Sequence, residues 1–215
     1  MRYRLIVWDF DGTLVDTLAL SAQTYNAMAP RYGFLPLTDV ESARGLTGRA
    51  FFRRHGVPIW RLPALVAEYR VAVKDHMPSI RLFDGVSDVL RALRDSGRRL
   101  GVLSSNATGN IRACLEASGV GELFDFVVGY PRLLGKAVAI RKLLRRERAA
   151  PGEFLYIGDE VRDVKAARAA GVDMAAVGWG FHTGELLSRY GPTYVLERPD
   201  ELLAALTDPK DEPAG

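Results

Sequence analysis

The sequence predicts an α/β fold, a mostly parallel sheet with helices on both faces, and a small helical domain inserted after the first strand. Three observations predict it. From about residue 80 onward, short apolar runs alternate with helical patterns of about ten residues, which is how a parallel sheet covered on both sides is written. Over residues 18–77 the apolar positions fall at three- and four-residue spacings with only turn residues between them, so this stretch supplies helices and no strand. Finally, the apolar runs end in polar residues, at the carboxyl edge where such sheets bind ligands.

The first strand is the apolar run that begins at Leu5 and stops at Asp9. The insert follows as "LALSAQTYNAMAPRYGF", "TDVESARGLTGRAFFRRHG" and "PALVAEYRVAVKDHM", parted by turns that carry Pro and Gly. "FDGVSDVLRALRDSG" then places Val86, Val89, Leu90 and Leu93 on one helical face, and Gly97 stands where a C-terminal cap belongs. Strand "RRLGVLSSN", helix "ATGNIRACLEASG", strand "FDFVVG", helix "GKAVAIRKLLRRER", strand "EFLYIGDE", helix "VRDVKAARAAG" and strand "VDMAAVGW" continue the alternation. The expected boundaries are a core of residues 1–16 and 80–207, the inserted helices at 17–79, and a frayed acidic tail at 208–215.

A chain of 215 residues is long enough for one domain or for a core with a smaller companion. Its 48% hydrophobic and 26% charged residues are ordinary for a globular protein. The pI of about 9.1 reflects many arginines and not a strong field, since the formal charge is only +3. The densest basic run, "RKLLRRER", alternates charge with leucine as a solvated helix face does, which weighs against a nucleic-acid partner. The single cysteine, Cys114, excludes an intrachain disulfide, fits a reducing compartment and reads as a small buried apolar residue. No run approaches the roughly 20 apolar residues of a membrane span, and the N-terminal run is too short for a secretory signal. A cytoplasmic protein without membrane or nucleic-acid partners is the expectation, with the oligomeric state left open.

The polar strand ends are "WDFDGT", "LSSN", "GK" and "IGDEVRD". Each alone is compatible with an ordinary turn or helix cap. Together they crowd Asp9, Asp11, Asp159 and Asp163 into one crevice, which is unfavourable unless a cation is present. Oxygen ligands with no histidine or cysteine nearby suit a hard ion such as Mg²⁺, which takes one or two carboxylates with phosphate oxygens. Lys136 and the Ser105 hydroxyl then face the accompanying anion, and the set describes a phosphoryl site.

In this order, "DFDGT", a strand ending in Ser-Asn, a lone downstream lysine and "GDEVRD" resemble the four motifs of the haloacid dehalogenase-like hydrolase superfamily. The layout is similar to that of phosphoglycolate phosphatase-like members, with a Rossmann-like core and a helical cap. The resemblance implies that Asp9 is a nucleophile forming an aspartyl-phosphate, and that Asp11 is the general acid and then base. It implies that Ser105, Asn106 and Lys136 hold the phosphoryl group, with Ser104 the competitor for the place of Ser105. Mg²⁺ is the implied cofactor, with Asp9, Asp11, Asp159 and Asp163 around it and Glu160 a further candidate.

The acid at Asp11 separates the chain from dehalogenases, whose halide leaving group needs no proton. Lys74 is the only lysine of the insert that a phosphonatase-type Schiff base could use. In the cap turn "RGLTGR", Arg44 and Arg49 are candidates to clamp a substrate carboxylate, as phosphoglycolate requires, or else face solvent. His182 is the histidine whose loop borders the site, if it is not simply solvated. The expected function is Mg²⁺-dependent hydrolysis of a small phosphorylated metabolite. A pyrophosphatase or phosphosugar mutase of the same fold, or a non-catalytic binder, is the alternative.

Overall fold

The apolar runs of the sequence fold as strands covered on both faces. In the computed structural model, which describes residues 2–74, 76–130 and 135–207, these are β1 (Leu5–Trp8), β2 (Arg99–Ser104), β3 (Phe126–Gly129), β4 (Phe154–Gly158) and β5 (Asp173–Val177), with a further β6 (Tyr194–Leu196). They form one parallel sheet in the order β3-β2-β1-β4-β5-β6.

Successive residues of a strand face opposite sides of its sheet, and β1 shows the consequence. Ile6 and Trp8 pack with α5 (Val86–Asp95), α6 (Thr108–Ala117) and, beyond β6, Glu201–Ala205, whereas Leu5 and Val7 pack with α7 (Lys136–Glu147), α8 (Val161–Ala170) and Gly184–Ser188. Cys114 lies in the first of these layers, as its helical context predicts. Arg141, Arg145 and Arg146 of "RKLLRRER" line the outside of α7 while Leu143 and Leu144 turn inward.

Strand β6 is absent from the sequence reading. At three residues it is too short for periodicity to reveal, and it gains its place by pairing Ala175 with Tyr194 and Val177 with Leu196. The expected tail at 208–215 lies outside the described residues.

Between β1 and α5 the chain forms α1 (Leu18–Tyr32), α2 (Val40–Arg44), α3 (Gly48–Arg54) and α4 (Leu62–Lys74). These helices have a small core of their own, made of Met28, Ala29, Phe34, Val57 and Leu65 with Tyr25, Tyr32 and Phe52 around it. The two segments that lead into and out of them run side by side, tied by Asp16 N–H to Arg81 O and by Phe83 N–H to Leu14 O, both at 3.0 Å. The helices therefore leave and rejoin the sheet beside the turn that carries Asp9 and Asp11.

From β1 the chain fills β2 and β3 on one side and then crosses to β4 on the other, so a crevice opens at the carboxyl ends of β1, β2 and β4. Close packing narrows one wall. A Cβ at Gly129 would stand 2.5 Å from Thr108 N and 2.6 Å from Asn106 O, so the end of β3 touches backbone at the start of α6. Gly129→Ala should consequently cost about 1–3 kcal/mol by overpacking, read as a lower urea midpoint with an unchanged m-value.

Candidate active site

The turn after β1 is fixed by one carbonyl. Phe10 O accepts from Thr13 N, Leu14 N and Val15 N at 3.2, 2.9 and 3.2 Å, and Gly12 turns the chain with a φ of 74°. Only glycine fits there, because a Cβ on Gly12 would lie 2.3 Å from Asp159 Oδ2.

Asp9 stands at the head of this turn and is buried. Its Oδ1 accepts from Phe10 N at 2.8 Å and its Oδ2 from Lys136 Nζ at 2.6 Å. Lys136, the first residue of α7, also donates to Asp163 Oδ1 at 2.5 Å. Burial pushes the lysine toward the neutral form, but the charges of Asp163 and Asp9 outweigh it and hold the ammonium well above its usual range. Asp163 lies in the first turn of α8, where its Oδ2 accepts from Glu160 N at 3.1 Å.

Asp159 follows β4 and is wholly buried. Thr13 Oγ1 donates to its Oδ1 and Phe181 N to its Oδ2, each at 2.7 Å. Both donors are neutral, so they orient the carboxyl without balancing a charge. Burial, followed by the charges of Glu160, Asp163 and Asp9, pushes the Asp159 carboxyl well above the usual carboxylate range.

One carboxylate oxygen each from Asp9, Asp159 and Asp163 lie within 4.8 Å of one another. Three buried carboxylates, two of them bonded to the Lys136 ammonium, form an oxygen-only donor set that fits a hard divalent cation. The carboxylate of Asp11, a residue expected around the same ion, is not among these three. It is turned to Asn106 Nδ2, at 3.1 Å from Oδ2 and 3.4 Å from Oδ1. Burial and then the charge of Asp9 push the Asp11 carboxyl up to about 6, against the opposing pull of the Asn106 amide and Arg162.

Asn106 is held in that orientation, since its Oδ1 accepts from Ala107 N at 2.8 Å and from Asn110 Nδ2 at 3.2 Å. The Ser104 hydroxyl is engaged by Asn106 N at 3.2 Å, whereas Ser105 is half-buried. Glu160 is paired with Arg162 at 2.5 Å. His182 is buried and accepts from Val161 N at 2.9 Å through Nδ1, so it anchors the start of α8; burial holds its imidazole below the ordinary range.

Of the two cap arginines, Arg49 is exposed on α3, while Arg44 is drawn onto the sheet domain, donating to Gly180 O at 2.8 Å and Gly178 O at 2.5 Å. Two contributors have no sequence signal of their own. Arg70 on α4 donates to Ser105 O at 2.9 Å, and the backbone of Phe181 binds Asp159. The second is written in "GWGF" only as a glycine-rich loop; Gly180 is needed there because a Cβ would lie 2.1 Å from Gly12 O.

The sequence pattern of haloacid dehalogenase-like hydrolases matches residues 6–177. A phosphoglycolate phosphatase of Synechococcus elongatus is 39% identical over 204 residues, covering 94% of this chain and 96% of that protein. The pyrophosphatase PpaX of Bacillus velezensis is 28% identical, over 94% of this chain and 95% of its own length. Among solved structures, a haloacid dehalogenase-like hydrolase of Streptococcus pneumoniae superposes with a TM-score of 0.78 at 26% identity, covering 95% of this chain and 99% of that one.

The raised Asp11 carboxyl has a signed consequence for stability. The native state holds a proton that the unfolded state releases between the ordinary value of 3.8 and about 6, so this group's contribution to stability falls as pH rises through that window. In the metal-free protein, Asp11→Asn should gain stability relative to the parent by roughly 1–3 kcal/mol between pH 4 and pH 7. Urea unfolding at both pH values measures that difference.

Proposed function

The chain belongs to the haloacid dehalogenase-like hydrolases, and on that premise we propose that it is a Mg²⁺-dependent phosphatase that hydrolyses a small phosphorylated metabolite through an aspartyl-phosphate on Asp9. Phosphoglycolate is the first substrate to test, on the strength of the Synechococcus relative. The observation that carries the reading is the separation of two acids within one turn. Asp9 faces the Lys136 ammonium and shares a cluster with Asp159 and Asp163, whereas Asp11 faces the Asn106 amide. Neighbouring acids in different surroundings are suited to different tasks.

In this reading Asp9 attacks phosphorus and the bond to the leaving oxygen breaks, while protonated Asp11 gives its proton to that oxygen. Asp11, now a carboxylate, takes a proton from the water that attacks phosphorus next, and Asp9 is released with inorganic phosphate. Lys136 and the Ser105 hydroxyl hold the phosphoryl oxygens, and Asn106 keeps Asp11 in place. Asp9, Asp159 and Asp163 are the residues that would hold the divalent ion; when bound, it supplies positive charge that lets a carboxylate meet a phosphate dianion. The helices of residues 17–79 act as a cap that excludes water, and Arg49, still exposed, is the cap arginine available to a substrate carboxylate.

Phosphate release from a panel of phosphoglycolate, sugar phosphates, nucleotides, pyrophosphate and p-nitrophenyl phosphate, with Mg²⁺ or with EDTA, tests this directly. Metal-dependent release is expected, with Asp9→Asn lowering kcat at least about 10³-fold. A best rate with pyrophosphate would favour the activity named for the PpaX relative.

The proton role of Asp11 is tested by leaving group. Asp11→Asn should cost about 10²–10⁴-fold in kcat with an alkyl phosphate and much less with p-nitrophenyl phosphate, whose phenolate leaves without help. Equal losses on both would remove the acid role.

A further inference from the structure

Arg44 ends α2, in the inserted helices, yet its side chain is committed to the sheet domain. Nε donates to Gly180 O at 2.8 Å and Nη2 to Gly178 O at 2.5 Å, while Nη1 is braced by Glu41 at 2.9 Å. Its backbone joins in, because Arg44 O accepts from Thr183 N at 3.2 Å. The cap thus grips both ends of the short loop that follows β5.

That loop is in contact with Asp159 and with the turn after β1. Phe181 N donates to Asp159 Oδ2 at 2.7 Å, Trp179 Nε1 to Thr13 O at 3.1 Å, and Thr13 in turn bonds Asp159 Oδ1. Gly180 lies so close to Gly12 O and Asp159 that even a methyl group would not fit. A loop packed to that tolerance cannot shift at Gly178 and Gly180 without moving the Phe181 amide that aims Asp159.

We infer that Arg44 is a positioning residue that couples docking of the inserted helices to the aim of Asp159 at the cation site, acting through residues 178–181. The inference rests on the reading of the three carboxylates as a divalent-cation site. A second arginine provides the contrast. Arg70 also ties the cap to the sheet domain, but through Ser105 O on the β2 side, away from the Asp159 loop.

The experiment compares Arg44→Ala, Arg44→Lys and Arg70→Ala in the full chain by Mn²⁺ titration, read by electron paramagnetic resonance, and by amide hydrogen exchange over residues 178–183. Arg44→Ala should bind Mn²⁺ roughly tenfold more weakly and exchange faster around Phe181, in line with losing charge-assisted hydrogen bonds. Arg44→Lys, which keeps the charge and can reach one carbonyl, should recover part of both. Arg70→Ala should match the parent in both. The inference is overturned if Arg44→Ala keeps parental affinity and exchange, or if Arg70→Ala weakens Mn²⁺ binding as much, since that would mark a general loosening of the cap. A parent protein that binds no Mn²⁺ overturns the cation reading itself, and the parental titration shows that before any variant is compared.

Discussion

The Lys136 ammonium, wedged between Asp9 and Asp163 with Asp159 alongside, is the interaction on which the rest of the structure depends. Like charges buried together are unfavourable unless something of opposite sign joins them. Lys136, with the Arg162 charge acting on Asp163 and Asp9 as well, offsets part of that cost, and a carboxylate cluster of this kind suits a cation. The surroundings keep the acids in place by means other than charge: a threonine hydroxyl, three backbone N–H groups and two glycines, Gly12 and Gly180, that allow close approach.

The fold makes this concentration possible. β1 is covered on both faces and sits between β2 and β4, so its end delivers Asp9 beside Asp159 while α7 and α8 start with Lys136 and Asp163 nearby. Residues distant in sequence meet because parallel strands end on the same edge. The inserted helices leave and return at one point next to this edge, and their arginines Arg44 and Arg70 reach across to carbonyls on opposite sides of the site. The inserted helices are thereby tied to backbone that also shapes the crevice.

Much of this was legible in the sequence, and for a physical reason. Strand ends of a parallel sheet collect ligands, so the polar residues that follow the apolar runs already point to Asp9, Lys136, Asp159 and Asp163 as neighbours. Asp11 belongs to the same polar strand end as Asp9, but its carboxylate lies against Asn106. Arg44 was readable as a cap cation but not as a donor to Gly178 and Gly180, because the approach of the cap to that loop is a tertiary contact with no local spacing to betray it. Arg70 and the Phe181 amide escaped for the same reason, one as an ordinary helix charge and the other as backbone. β6 escaped because three residues carry too little pattern.

The central claim is that the cluster built around Lys136 pairs one divalent cation with a phosphoryl-accepting Asp9. A crystal structure grown with Mg²⁺ and beryllium fluoride, which mimics a phosphorylated carboxylate, tests it most directly. The account predicts fluoroberyllate on Asp9 and a single cation held by the carboxylates of Asp9, Asp159 and Asp163, with the Asp11 carboxylate unmodified and still against Asn106. Fluoroberyllate on Asp11, or a cation bound elsewhere with the three carboxylates left as they are, would contradict it.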